Sequence, residues 1–118
     1  MSVMYSLFST PDCGETWELM TVSPFSADDY SPIVPCNGLA DGLHAVVAFK
    51  KNTSEMYFAL YNGATWGDPV KVTTLGSSDS KAVSCFQENF AGSSRLRIVG
   101  NGFDFNSTNY GDTWEVTP

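Results

Sequence analysis

The three tryptophans, Trp17, Trp66 and Trp114, are spaced 49 and 48 residues apart. Each closes a matched tetrapeptide: Gly14-Glu15-Thr16-Trp17, Gly63-Ala64-Thr65-Trp66 and Gly111-Asp112-Thr113-Trp114. A fixed period of this length constrains the fold strongly, because each period must be one supersecondary unit that buries its apolar face against a neighbour. The similarity is not confined to the turns. Ser31-Pro32-Ile33-Val34-Pro35-Cys36 aligns with Ser80-Lys81-Ala82-Val83-Ser84-Cys85 at a shift of 49 residues.

Between these landmarks the hydropathy alternates with strand period. Leu43, Ala45, Val47 and Phe49 point one way, and His44, Val46, Ala48 and Lys50 the other. The run Met56-Tyr57-Phe58-Ala59-Leu60-Tyr61 is rich in strand formers and ends at Asn62-Gly63, a hairpin signal. No stretch has helical period. The pattern predicts strands near 31–36, 42–50, 55–61 and 65–73 in the middle unit, and near 80–87, 94–100, 103–107 and 112–117 in the last. Two more near 3–9 and 15–22 make an N-terminal half unit. The expected organisation is one all-β domain over 1–118, divided into a half unit (1–24), a unit (25–74) and a second unit (75–118).

With 118 residues, 42% of them hydrophobic, the chain has material for one small core. Six Lys and Arg against thirteen Asp and Glu, a net charge of −7, leave no basic stripe for a phosphate backbone, so nucleic acid and anionic membrane are excluded as expected partners. No apolar run approaches the roughly 20 residues that cross a bilayer. The N-terminus, without Lys or Arg and without a long apolar stretch, does not read as a signal peptide. Cys13, Cys36 and Cys85 form an odd set with no C-x-x-C pair, which argues against a disulfide framework and against zinc. They are expected to be small core fillers, and neither metal nor cofactor is expected. Asn52-Thr53-Ser54 and Asn106-Ser107-Thr108 match a glycosylation acceptor, which matters only in a eukaryotic secretory pathway.

Two of the turns carry a longer pattern. Thr10-Pro11-Asp12-Cys13-Gly14-Glu15-Thr16-Trp17 and Ser107-Thr108-Asn109-Tyr110-Gly111-Asp112-Thr113-Trp114 both fit [ST]-x-[DN]-x-G-x-T-W. An Asp or Asn side chain accepts from turn amides, Gly supplies a positive φ, and Trp anchors the hairpin in the core. This pattern resembles the Asp box, the bacterial neuraminidase repeat of sialidases and related β-propellers. The shorter Asn62-Gly63-Ala64-Thr65-Trp66 is similar to the degenerate turns of sialidase-like propeller lectins. The resemblance implies antiparallel four-stranded, blade-like repeats, about two and a half per chain. A propeller of four to eight blades could then be completed by oligomerisation, making a homo-oligomer the expected state; the alternatives are an open two-sheet stack or a piece of a longer propeller. It also implies that Thr10, Asp12, Gly14, Thr16, Trp17, Trp66, Ser107, Asn109, Gly111, Thr113 and Trp114 serve structure rather than chemistry.

A sialidase needs three arginines for the substrate carboxylate, a Tyr and Glu nucleophile pair and an Asp acid/base. This chain has two arginines, Arg95 and Arg97, and no Arg-Ile-Pro motif. Asp28 and Asp29 are adjacent acids in a connecting loop, and His44, the sole histidine, has no nucleophile motif beside it. Tyr30, Tyr57, Tyr61, Phe86 and Phe90 are aromatics outside the boxes, suited to core packing or to sugar recognition. The residues singled out for a ligand are Arg95, Arg97, Tyr57, Tyr30 and Asp29. The expectation is a noncatalytic, lectin-like module with a glycan partner, and the acidic balance favours a neutral sugar. The alternatives are a sialidase-like or other glycoside hydrolase, and an assembly protein that binds no sugar.

Overall fold

The strand-forming runs become strands in a computed structural model, which describes residues 8–10, 13–19, 24–25, 28–39, 42–75, 83–90 and 92–117. β1 (Phe8–Ser9) and β2 (Glu18–Leu19) pair as a small antiparallel hairpin. The other strands are β3 (Tyr30–Asn37), β4 (His44–Lys50), β5 (Glu55–Tyr61), β6 (Val70–Thr74), β7 (Val83–Phe90), β8 (Ser93–Gly100), β9 (Phe103–Ser107) and β10 (Glu115–Val116). They form one curled eight-stranded sheet in the order β10-β9-β8-β7-β3-β4-β5-β6. No helix occurs among the described residues. The strands ending each unit are shorter than expected: Trp66 makes only an isolated bridge to Tyr61 before β6 begins, and β10 is two residues long.

Turn chemistry explains the antiparallel pairings. Asn101-Gly102 closes β8 onto β9 as a two-residue loop between Gly100 and Phe103, with Gly102 at φ 92°. The two antiparallel runs, β3 to β6 and β7 to β10, meet along a short parallel seam between β3 and β7. There Cys36 pairs with Cys85 and Asn37 with Phe86. Both pairs are separated by 49 residues, the repeat period, so equivalent positions of the two units lie side by side.

That register corrects the expectation for the cysteines. Side chains at paired positions of a parallel ladder leave the sheet on the same face, and Cys36 and Cys85 are joined by a disulfide, with Cα atoms 4.5 Å apart. Cys13 is not a core filler either: it is exposed, unbonded, and at φ 59° in its turn.

One interior serves both units. Val47, Phe49, Met56 and Phe58 project into it from the β3–β6 half, and Cys85, Leu96 and Ile98 from the other, flanked by Phe103, Phe105 and Trp114. The alternation of β4 suggests one buried face, yet both are covered. Val46 and Ala48, on the outer side, are sealed by Phe25 together with Tyr30, Ile33, Tyr57 and Trp66. Trp114 packs against the inner cluster and Trp66 against the outer one. The Trp17 indole, expected to anchor its hairpin in the core, is instead 60% exposed, because the β1–β2 hairpin stands outside the eight-stranded sheet.

The disulfide closes a 49-residue separation and so restricts the unfolded chain. Its removal in a Cys36→Ala, Cys85→Ala variant should cost about 2–4 kcal/mol. Urea unfolding followed by tryptophan fluorescence should show a lowered midpoint, matched by the wild type in reductant. An unchanged midpoint would contradict the pairing.

Candidate functional site

The last of the three turns, residues 107–114, is built as its residue types demand. Asn109 Oδ1 accepts from the Thr113 amide at 3.0 Å, and Asn109 Nδ2 donates to Thr113 Oγ1 at 2.8 Å. The buried Ser107 hydroxyl accepts from the Gly111 amide at 2.8 Å and donates to Asn109 Oδ1 at 2.8 Å. Trp114 Nε1 donates to the Gly111 carbonyl at 3.0 Å. Tyr110 and Gly111 have φ of 56° and 94°. The first box repeats the geometry where it is described: Gly14 N donates to Thr10 Oγ1 at 2.8 Å, and Cys13 and Gly14 have φ of 59° and 97°. Asp12 lies outside the described residues. In the middle turn Asn62 Oδ1 accepts from the amides of Ala64 (2.9 Å) and Thr65 (3.0 Å), a shorter version of the same device.

The boxes differ in what they meet. Gly111 is buried flat against the Phe58 ring of the other unit, where a Cβ would overlap the ring, and Trp114 meets the same ring edge-on at 5.1 Å. Around Gly14 the nearest atom to an added Cβ would be its own Trp17, at 3.9 Å. One glycine is needed for backbone conformation alone, the other also for close packing between units.

Arg95 and Arg97 do face the same side, opposite the buried Leu96 and Ile98. Cross-strand register brings Glu88 against Arg95, Phe86 against Arg97 on β7, and Asn106 against Arg97 on β9. Arg95 Nε donates to Glu88 Oε1 at 2.7 Å, and Arg97 Nη1 reaches the same oxygen at 3.4 Å. Arg97 also binds Asp104 through both Nη2 and Nε, the latter at 3.2 Å, and its guanidinium carbon lies 5.7 Å from the centre of the Phe86 ring. Asn106 Nδ2 extends the array to Thr117 Oγ1 at 3.1 Å. The result is an internally neutralised network of donors and acceptors on the outer face of β7–β9, its charged side chains only 16–29% exposed. The hydrogen bond from Arg97 holds the Asp104 carboxyl below the usual carboxylate range; burial opposes this, and Thr117 and the arginine charges reinforce it.

Tyr57, Tyr30 and Asp29 are placed elsewhere. Tyr30 and Tyr57 meet edge-on at 5.9 Å, and Tyr30 packs on Phe25 at 4.8 Å, which makes them the cover over Val46 and Ala48. Burial raises the Tyr30 phenol pKa. Asp29 is exposed, and its backbone carbonyl accepts from the Lys51 amide at 2.8 Å. Tyr57 and the arginines lie on the same side of the sheet, but four strand spacings separate β5 from β8, roughly 19 Å along the sheet. His44 is exposed at the start of β4, its ring 6.1 Å from that of Tyr61. Glu88, Asp104 and Asn106, absent from the expected ligand set, are what the register adds.

No family pattern, curated protein or solved structure matches the chain.

Two predictions follow from this geometry. Gly14→Ala should cost about 1–2 kcal/mol from the left-handed backbone alone. Gly111→Ala should cost about 2–4 kcal/mol, since it also drives a methyl into Phe58; equal losses on thermal unfolding would remove the packing role. For Asp104, whose folded pKa is depressed, the stabilisation is present above the unfolded value near 3.9 and is lost as pH falls through the folded value. In Arg97→Met, the carbon-detected NMR titration of Asp104 should move upward toward the ordinary range, and an unmoved midpoint would deny the coupling.

Proposed function

We propose that this protein is a noncatalytic carbohydrate-binding module, lectin-like in action, which holds a neutral glycan against the outer face of β7–β9. The observation that carries this reading is the neutral network of Arg95, Arg97, Glu88, Asp104 and Asn106 beside the Phe86 ring. Sugar hydroxyls both donate and accept, and such an array offers guanidinium and amide donors alternating with carboxylate acceptors, held in place by their own bonds. Because each arginine has a carboxylate partner, the face has no surplus positive charge to draw a sialic acid carboxylate. The Asp-box resemblance, with its blade-like repeats and propeller lectins, supports the same reading.

Hydrolysis fits the site less well. A glycosidase acid must keep its proton near neutral pH, which requires a raised carboxyl pKa. Asp104 is shifted the other way, and Glu88 is bound to both arginines. A second reading, assembly without a sugar ligand, draws on the two edges of the eight-stranded sheet at β6 and β10, where Val116 is 71% exposed. Open edges invite pairing with another chain, a route to a homo-oligomer.

A glycan array probed with the intact protein should show binding to neutral oligosaccharides, weakened at least tenfold in Arg97→Gln and in Asn106→Ala. A chromogenic glycoside panel should show no turnover. Turnover lost in Glu88→Gln would replace this reading with a hydrolase. An array without binding, beside a stable oligomer in light scattering, would favour assembly.

A further inference from the structure

The middle turn and the final Asp box converge on the side of the sheet opposite the arginine network, and between them opens a cleft of about 360 Å3. Ordinary small-ligand sites begin at about 300 Å3. Its base is apolar, with the buried Phe58 ring and Val70. Its rim carries Asn62 and Asp68 from the middle unit and Asp112 from the last, and Tyr110 forms a further wall. Gly111 pressed on Phe58 joins the two sides, and the Ser107–Asn109–Thr113 bonds fix the shape of the last unit's side. The concavity is therefore fixed by the box.

Tyr110 is the least expected member. It is 42% exposed and sits at φ 56°, a conformation that disfavours a bulky side chain. The box requires that backbone at this position, but the hydrogen bonds of the box use no atom of the ring. Asn62 Oδ1 accepts from the Ala64 and Thr65 amides, so the hydrogen-bonding group it has left to offer a ligand is the Nδ2 donor. Asp68 and Asp112 supply acceptors, and no Lys, Arg or His lines the cleft among the described residues. Acceptors, one amide donor and an aromatic face complement a ring that carries hydroxyls on its edge and C–H groups on its face. An anion would meet two carboxylates, and a simple ammonium ion would leave the amide donor unmatched.

We infer that this cleft seats one neutral pyranose ring, with Tyr110 against its C–H face and Asp68 and Asp112 accepting from its hydroxyls. The seat is separate from the outer face of β7–β9 and stands or falls independently of it.

Saturation-transfer NMR on the intact protein tests this with methyl glucoside, galactoside, mannoside and fucoside, and with tetramethylammonium and free sialic acid as charged controls. At least one neutral pyranoside should receive saturation. Its affinity should fall at least tenfold in Asp68→Asn, in Asp112→Asn and in Tyr110→Asn, the last chosen because Asn tolerates positive φ. Asp68 lies outside the box, so its variant reads the cleft even if a box variant loses stability, which thermal unfolding would reveal. Pyranoside binding indifferent to Asp68→Asn overturns the inference, as does transfer to tetramethylammonium alone or to no probe at tens of millimolar. Array binding that depends on Arg97 but not on Asp68 would leave the outer-face reading in place and remove this one.

Discussion

The seam between β3 and β7 is the constraint on which the remaining structure depends. The two antiparallel runs share one interior because their first strands lie side by side, joined by the parallel pairs Cys36–Cys85 and Asn37–Phe86. The disulfide then ties the units at the point where the hydrogen-bonded ladder between them is shortest. From this seam outward each half adds strands in chain order, so Val47 and Phe49 of one unit and Leu96 and Ile98 of the other, positions 49 residues apart, reach the same core. Equivalent apolar faces thus satisfy one another, and neither half alone could bury its own.

The turn at 107–114 supplies the second tie, where Gly111 and Trp114 meet Phe58. Its hydrogen bonds are local, but their effect is not, because they fix Gly111 in a conformation that lets the backbone touch Phe58 and turns Trp114 onto the same ring. A motif legible as a turn device acts as a clamp between units. The first turn has the same backbone, but among the described residues no ring of another unit meets it, and Trp17 is 60% exposed while Trp114 is half-buried.

The ten strands among the described residues, and their order, were legible because strand period, turn glycines and the 49-residue repeat all pointed the same way. Pairing between units was not, since nothing local to β3 or β7 specifies a neighbour 49 residues away. The cysteine reading failed for that reason: an odd count hid the fact that Cys36 and Cys85 occupy the same place in two repeats, and their shared position was the available signal. The candidate site was half visible. Alternation showed that Arg95 and Arg97 share a face, but Glu88 and Asp104 joined them only through the registers of β7 and β9. Tyr30 and Tyr57, singled out for a ligand, lie instead beside Phe25 over Val46 and Ala48, a neighbourhood that no local pattern specifies.

The repeat also explains why the two outer faces differ so sharply. Arg95 stands 49 residues after Val46, and Arg97 49 after Ala48, so the charged face of the last unit occupies the positions that in the middle unit are sealed by Phe25 and Tyr30. Covering the arginines with an apolar layer would mean desolvating both guanidiniums and their carboxylates, a penalty of several kcal/mol per ion. The face therefore ends the stack of apolar layers, as the polar outer surface of a terminal repeat does. Because its charges are matched within the chain, it ends that stack without adding to the net charge, and it remains open to an occupant that exchanges hydrogen bonds rather than one that expels water. A hydroxyl-rich ligand meets that condition, and so does solvent. An apolar sheet from another chain does not, because it would strip water from the guanidiniums and carboxylates without replacing those bonds.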